Sequence, residues 1–313
     1  MAWTTKDIPD QSGRTAIVTG ANSGLGLEVA SALADSGATV LMACRDMNRA
    51  SEGLERIRAE VPGADVDALR LDLASLDSVE EFAANARNRL PDGIDILINN
   101  AGVMMTPRRE TEDGFELQFG TNHLGHFALT ALLYPDIRKV AGSRVITVSS
   151  AMARAGRFDF GNLDGQKAYS RTGAYSLSKL ANLSFALELQ RRLTVADSPV
   201  ESMAAHPGYS STNLQKSGPR LGGGIASTLV APFMSLGNLL LAQDATAGAA
   251  PILYAATRPD LAAGSYVGPD GPGEMRGRPT VVEPVEAATD PSSAERLWAI
   301  SEQMTGIRFT LPS

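Results

Sequence analysis

Along this chain, apolar residues gather into short unbroken runs separated by longer stretches in which they return every third or fourth position. An unbroken run bounded by turn residues predicts a buried strand, and the 3.6-residue return predicts a helix lying against it. Strands are expected on this basis at 14–19, 39–44, 66–71, 94–98, 144–148 and 200–205. Helices are expected at 25–36, 46–60, 75–90 and 113–140, around Tyr175, and at 245–256 and 291–305. Strands alternating with helices give a parallel sheet covered on both faces, so the expected class is α/β, doubly wound. No repeat or second composition regime divides the chain, and one domain over 1–313 is expected.

The turn after the first strand carries the first candidate chemistry. Gly20, Asn22, Ser23, Gly24, Leu25 and Gly26 join strand to helix with the spacing Gly-x-x-x-Gly-x-Gly. Glycines let a backbone turn tightly and approach a pyrophosphate, whose charge suits a helix N-terminus. The sheet is therefore expected to be of the Rossmann, dinucleotide-binding type. The second strand ends at Cys44-Arg45. An acidic residue there would bond a ribose 2′-OH, whereas arginine accommodates a 2′-phosphate, so NADP is expected over NAD. Asp46 can offset Arg45, and the plain alternative is a surface arginine at the start of the next helix. Asp72 and Leu73 end the third strand, where an adenine fits, although Asp72 equally suits a cap for the following helix. The fourth strand runs into Asn99-Asn100-Ala101-Gly102. All these motifs fall at the carboxyl ends of strands, where open parallel sheets bind ligands.

Composition narrows the function classes. A chain of 313 residues, 43% hydrophobic and 20% charged, has ample material for a soluble core. Its net charge of −7 comes with no basic cluster, so no nucleic-acid partner is expected. Cys44, the one cysteine, rules out an internal disulfide and fits a reducing, cytoplasmic setting; it reads as a small buried hydrophobe. The opening residues lack a signal-peptide core, and the longest apolar stretch, 225–242, is broken by Pro232, Gly237 and Asn238. No membrane span is expected. No metal-ligand cluster is present either, and His123 and His126 read as packing or polar-edge residues.

Tyr175 and Lys179 stand one helical turn apart, on one face. A free tyrosine titrates near ~10, a poor acid or base at neutral pH. A cation fixed beside it favours the phenolate and lowers that value, as an acid/base catalyst requires. Tyr169 competes, but the residue one turn beyond it is Gly173. The pair by itself is equally an ordinary solvated helix face.

In order along the chain, Thr19 to Gly26 (TGANSGLG), Asn99 to Gly102 (NNAG), Val148-Ser149-Ser150, Tyr175-x-x-x-Lys179 and His206-Pro207-Gly208 resemble the motifs of the short-chain dehydrogenase/reductase family. More narrowly, Met42 to Asp46 (MACRD), Thr121 to Phe127 (TNHLGHF) and the long segment between Ser150 and Tyr175 are similar to the branch of retinol dehydrogenases, WW-domain oxidoreductase and protochlorophyllide reductase. The resemblance implies a nicotinamide-dependent oxidoreductase acting on the carbonyl or alcohol group of a small molecule. It implies Asn122, Ser150, Tyr175 and Lys179 as the catalytic set. Ser150 would hold the substrate oxygen, Tyr175 would exchange its proton, and Lys179 would support the phenolate and the nicotinamide ribose. Asn122 would hold a water in a proton relay. Ser149 competes with Ser150, and the alternation of side chains along a strand sends only one of them to the cleft. To the cofactor-binding set the resemblance adds Asn99, Ala101, Gly102, Tyr175, Lys179, Pro207, Gly208 and Thr212, the last equally readable as a loop cap.

Light-driven protochlorophyllide reduction is associated in the family with further cysteines, which this chain lacks. A non-catalytic dinucleotide-binding regulator or redox sensor, the alternative class, would be expected to lack part of the catalytic set. Pairing through the Tyr175 helix into a homodimer or homotetramer is an implication of the resemblance alone.

The last third is the least regular. Gly222-Gly223-Gly224 precedes Leu229, Phe233, Met234, Leu236 and Leu239, so 210–245 reads as a mobile lid over a bulky lipophilic substrate, or as a subunit interface. Residues 265–267 read as an edge strand and 268–284 as a Gly/Pro-rich loop.

Overall fold

The unbroken apolar runs become the middle of a sheet. In this computed structural model, which describes residues 3–208 and 245–311, β1 (Thr15–Thr19), β2 (Thr39–Cys44), β4 (Ile96–Asn99) and β5 (Arg144–Val148) are buried almost throughout. Strands covered on both faces must be so. β3 (Val66–Arg70) alternates buried and exposed positions, as an edge strand does. With β6 (Glu201–Ala205), β7 (Tyr266–Pro269) and β8 (Pro279–Val281), the eight strands run in the order β3-β2-β1-β4-β5-β6-β7-β8. Every pairing is parallel except β7 with β8. The order reverses direction between β1 and β4, which opens a crevice at the carboxyl ends of those strands.

Helices fill both faces. α1 (Gly24–Asp35) and α2 (Met47–Glu60) lie on one face with a helix from the last third, Ala245–Thr257, burying Val29, Leu33, Ile57 and Ile252. On the other face, α3 (Leu76–Arg89) and two further helices bury Phe82, Phe127, Leu133 and Phe185.

The expected helix 113–140 is shorter and less regular than its apolar pattern suggests. Gly114, with φ +82°, closes a turn, and the Glu116 carboxylate caps α4 (Leu117–Phe119) by accepting from the Phe119 N–H at 2.7 Å. A π-helical turn, Gly120–Leu124, then leads into α5 (Gly125–Ile137), so Asn122 sits at the irregularity. Single π turns inside helices occur often at functional sites. α6 (Arg171–Val195) begins at Ser170, whose side chain accepts from Gly173 N, and is buried on nearly every side from Tyr175 to Leu189.

The last third corrects two expectations. The strand expected at the sheet edge, β7, is paired on both sides, and the edge is β8, drawn from the Gly/Pro-rich stretch and opening with Pro279. A proline is tolerated there because an edge needs no further donor. After α7 (Ala245–Thr257) and α8 (Glu286–Thr289), α9 (Pro291–Thr305) lies over α5 and α6. Trp298 is 4% exposed, stacks on Phe185 at 5.8 Å, meets Phe127 edge-on at 5.2 Å, and carries the Arg192 guanidinium 4.3 Å above its ring. α9 thus covers part of α6, the helix through which pairing was expected. Thr212 and most of the expected lid segment fall outside the described residues. Among the described residues no helix is long and apolar enough to cross a membrane.

Candidate active site

A cavity of about 640 Å³ runs along the carboxyl ends of the strands and collects most of the residues singled out in the sequence. At one end lie Gly20, Asn22, Ser23, Gly24, Leu25 and Gly26. The approach there is tight: a Cβ on Gly26 would sit 2.4 Å from the Gly20 carbonyl oxygen, so glycine is required. Ser23 is the N-cap of α1 without spending its hydroxyl on that helix, which leaves the helix N-terminus facing the cavity. Such a terminus carries unpaired N–H donors and suits an anion.

Arg45 and Arg49 both line the same end. Asp46 is not Arg45's counter-ion, because its carboxylate caps α2 through Asn48 N and Arg49 N at 3.1 and 3.2 Å and lies 3.6 Å from the Arg49 guanidinium. Asp72 and Leu73 also line the cavity; the Asp72 carboxylate accepts from Ala74 N at 3.0 Å, while Ser75 takes the N-cap position of α3. Cys44 is buried, and loss of water pushes its thiol up to about 12, far from a reactive thiolate.

In the Asn99 to Gly102 turn, Ala101 and Gly102 line the cavity and Asn99 does not. Its fully buried amide donates to Thr130 on α5 at 2.9 Å, whereas Asn100 lines the cavity and donates to the Thr19 carbonyl at 2.8 Å. Side-chain alternation explains the swap, since adjacent residues leaving a strand point to opposite sides.

At the other end stand Ser150, Tyr175 and Lys179, with Pro207 and Gly208 beside them. The adjacent serines separate as alternation requires. Ser149 turns inward and donates to the Lys179 carbonyl at 2.8 Å, while Ser150 opens a 3-10 turn at the cavity wall and accepts from Met152 N at 3.2 Å. Tyr169 is excluded from the cavity lining and serves the wall instead, donating to the Thr106 carbonyl at 2.9 Å.

The electrostatics differ from the expectation that Lys179 lowers Tyr175. Burial pushes the Tyr175 phenol up to about 12, with hydrogen bonding to Ser150 acting the other way, and pushes the Lys179 ammonium down to about 8. Lys179 is 4% exposed, sits 5.9 Å from the Tyr175 ring centroid, and donates to the Val148 carbonyl at 3.0 Å. Loss of water disfavours both charged forms and outweighs the cation at that distance. The arrangement keeps Tyr175 protonated, which equips it to donate.

Asn122 lies behind the cavity wall. Its side chain accepts from Val103 N at 2.8 Å and donates to the Val103 carbonyl and to Ser178, both at 2.9 Å. Its carbonyl lies 2.9 Å from His126 Nδ1, and His126 Nε2 lies 2.9 Å from the Thr19 hydroxyl. Burial holds His126 down to about 4 and His123 to about 3, so both rings stay neutral and structural. His123 packs among Phe119, Phe127 and Phe185. Sequence reasoning missed Arg49, Thr121, the wall segment Val103 to Thr106, Met152 and Met275. The first could have been found one turn beyond Arg45 on α2; the others carry no motif.

Residues 14–220 match the short chain dehydrogenase family, and the chain belongs to it. It is an oxidoreductase of that family, using a nicotinamide dinucleotide on alcohol or carbonyl groups. Within the family it falls in the retinol dehydrogenase branch. It is 42% identical over 298 residues to retinol dehydrogenase 13 of Homo sapiens, covering 94% of this chain and 85% of that one. It is 41% identical over 305 residues to polyprenol dehydrogenase of Mus musculus, covering 96% and 86%. A crystal structure of an uncharacterised protein from Mycobacterium Paratuberculosis superposes with a TM-score of 0.80 at 42% identity, covering 99% of this chain and 100% of that one. The alternative of a non-catalytic dinucleotide-binding regulator is thereby set aside.

Proposed function

We propose that this protein is an NADP-dependent oxidoreductase of a lipophilic alcohol or carbonyl compound, working through Ser150, Tyr175 and Lys179. The observation that carries the cofactor choice is Arg45 lining the cavity at the end of β2, with Arg49 beside it; Asp46 lines the cavity too, but its carboxylate caps α2 and lies 3.6 Å from the Arg49 guanidinium. Guanidinium groups suit a phosphate, and a carboxylate placed to bond the ribose 2′-OH is missing from Cys44. The α1 N-terminus and the glycine turn fit the pyrophosphate, so the donor set of the cleft matches the whole dinucleotide.

When bound, the nicotinamide supplies or accepts the hydride. The chain does the rest. Ser150 holds the substrate oxygen at the cavity wall, Tyr175 gives that oxygen its proton in reduction, and the Lys179 ammonium supports the phenolate left behind. Asn122 acts from behind the wall, fixing Val103 and, through its carbonyl, the π turn.

The substrate class rests on the wall opposite. Val103, Met104, Met105, Met152 and Met275 line the cavity, and unbranched methionines adapt to flexible apolar ligands. Relatives named for retinol and polyprenol agree with this reading. The buried thiol of Cys44 fits a reducing, cytoplasmic setting.

Calorimetric titration with NADPH and NADH tests the cofactor choice. Arg45→Ala is expected to weaken NADPH about 10- to 100-fold, the worth of a charge-assisted hydrogen bond, and to leave NADH unchanged. Equal losses for both would return Arg45 to the status of a surface residue. A series of aldehydes of rising chain length then tests the lipophilic wall, with KM expected to fall as the chain lengthens.

A further inference from the structure

The turn between β7 and β8 was expected only as a loop, yet it is built onto the reacting end of the cleft. His206, which follows β6, is fully buried with its ring 5.2 Å from that of Tyr266 on β7. Its Nε2 lies 3.0 Å from a Glu274 carboxylate oxygen, and its Nδ1 accepts from Gly208 N–H at 3.3 Å. One neutral tautomer satisfies both contacts, with the proton on Nε2. The other Glu274 oxygen pairs with the Arg154 guanidinium, which comes from the 3-10 turn that Ser150 opens. A single carboxylate thus joins the serine turn, the turn after β6 and the β7–β8 turn.

The backbone is bent to allow this. Glu274 has φ +55°, a conformation unfavourable for a residue with a side chain and kept only where its surroundings demand it. The approach is also close: a Cβ on Gly268 would lie 2.1 Å from His206 Nε2, and one on Gly208 would lie 2.5 Å from the Met275 carbonyl oxygen. Met275, next to Glu274, lines the cavity.

We propose that Glu274 is a positioning residue that locks the β7–β8 turn over the cleft, setting Met275 against the substrate and holding Pro207-Gly208 in register with Ser150. The inference rests on the reading of the cleft as a dinucleotide and carbonyl site. Its consequence is a nicotinamide with little local freedom and a defined far wall for the substrate chain.

The test uses the whole chain as Glu274→Ala, Glu274→Gln and Arg154→Met. Glutamine keeps an oxygen for His206 but loses the charge that pairs with Arg154. Time-resolved fluorescence anisotropy of bound NADPH (NADH, if only that binds) reads the local mobility of the nicotinamide without any turnover. Steady-state rates with hexanal to dodecanal read the wall. Glu274→Ala is expected to keep dinucleotide affinity within about threefold, add a fast nicotinamide motion, and lower kcat/KM by about tenfold or more with a flattened chain-length preference. Glu274→Gln should recover most of this, and Arg154→Met should fall between, which keeps the test open if the alanine variant does not fold. A nicotinamide already mobile in the wild type, or one equally still in every variant, overturns the proposal. If the wild type binds dinucleotide but reduces no aldehyde, the substrate reading fails while the anisotropy still decides the role of Glu274.

Discussion

The two ends of the cleft are built by different means. At the end proposed for the dinucleotide, backbone does much of the work, through a turn closed by Gly26 and the N-terminus of α1, with guanidinium side chains added at the end of β2. At the reacting end it is done by buried side chains whose protonation is set by loss of water, with Tyr175 pushed to about 12 and Lys179 to about 8. The first kind of site depends on spacing and tolerates solvent. The second depends on what covers it, so its chemistry is sensitive to pH and to neighbours far away in sequence.

The sharpest way to separate the ends is Tyr175→Phe. If Tyr175 is the proton donor, as proposed, its loss should cut turnover by about 10²- to 10⁴-fold. Dinucleotide affinity, measured in the same preparation, should barely move, because the phosphate end is untouched. Comparable losses in both would mean the two ends are not independent. Ser150→Ala is expected to cost about 10²-fold in kcat, the usual worth of one donor on a developing oxyanion. A variant with unimpaired kcat would hand the substrate oxygen to another group.

Raising the pH into the alkaline range acts at the reacting end. The Lys179 ammonium prevails below about 8 and is lost as the pH rises past that value, while Tyr175 keeps its proton up to about 12. Reductive kcat should therefore be level at lower pH and fall about tenfold per unit on the alkaline side, since one ionisation is being lost. A rate that stays flat to alkaline pH would show that the ammonium is dispensable. The smallest effect is expected from Ser149→Ala. Its hydroxyl donates to the Lys179 carbonyl, so the loss should be about 1 kcal/mol of stability in a denaturant melt, with kcat nearly unchanged.

The same contrast explains what could be read from the chain alone. Strands, their order of appearance and the glycine turn were legible because they rest on local periodicity and spacing. That the two serines after β5 would part was legible because alternation is a local rule; the choice of Ser150 came from the family resemblance. That the Asn100 side chain and not that of Asn99 lines the cavity was not legible, since it depends on where the strand ends. The direction of the Tyr175 shift was also beyond the sequence, as it depends on burial under residues more than a helix away. The helix expected at 113–140 failed at its start because Gly114 and the Glu116 cap impose a turn that apolar periodicity does not register. Glu274 carried no motif at all; only the fold brings it to His206 and Arg154.

α9 carries a consequence for how the protein is made. Trp298 and Phe309 complete the aromatic layer over Phe127 and Phe185, which belong to helices translated well over a hundred residues earlier in the case of Phe309 and Phe127. A nascent chain on the ribosome can assemble β1 to β5 in sequence, but that layer stays open to water until residues 291–311 emerge from the exit tunnel. Exposed aromatic surface at that stage is a substrate for chaperones and a seed for aggregation. A chain cut short before residue 291 would keep the strands β1 to β8 but leave Phe127 and Phe185 without that cover.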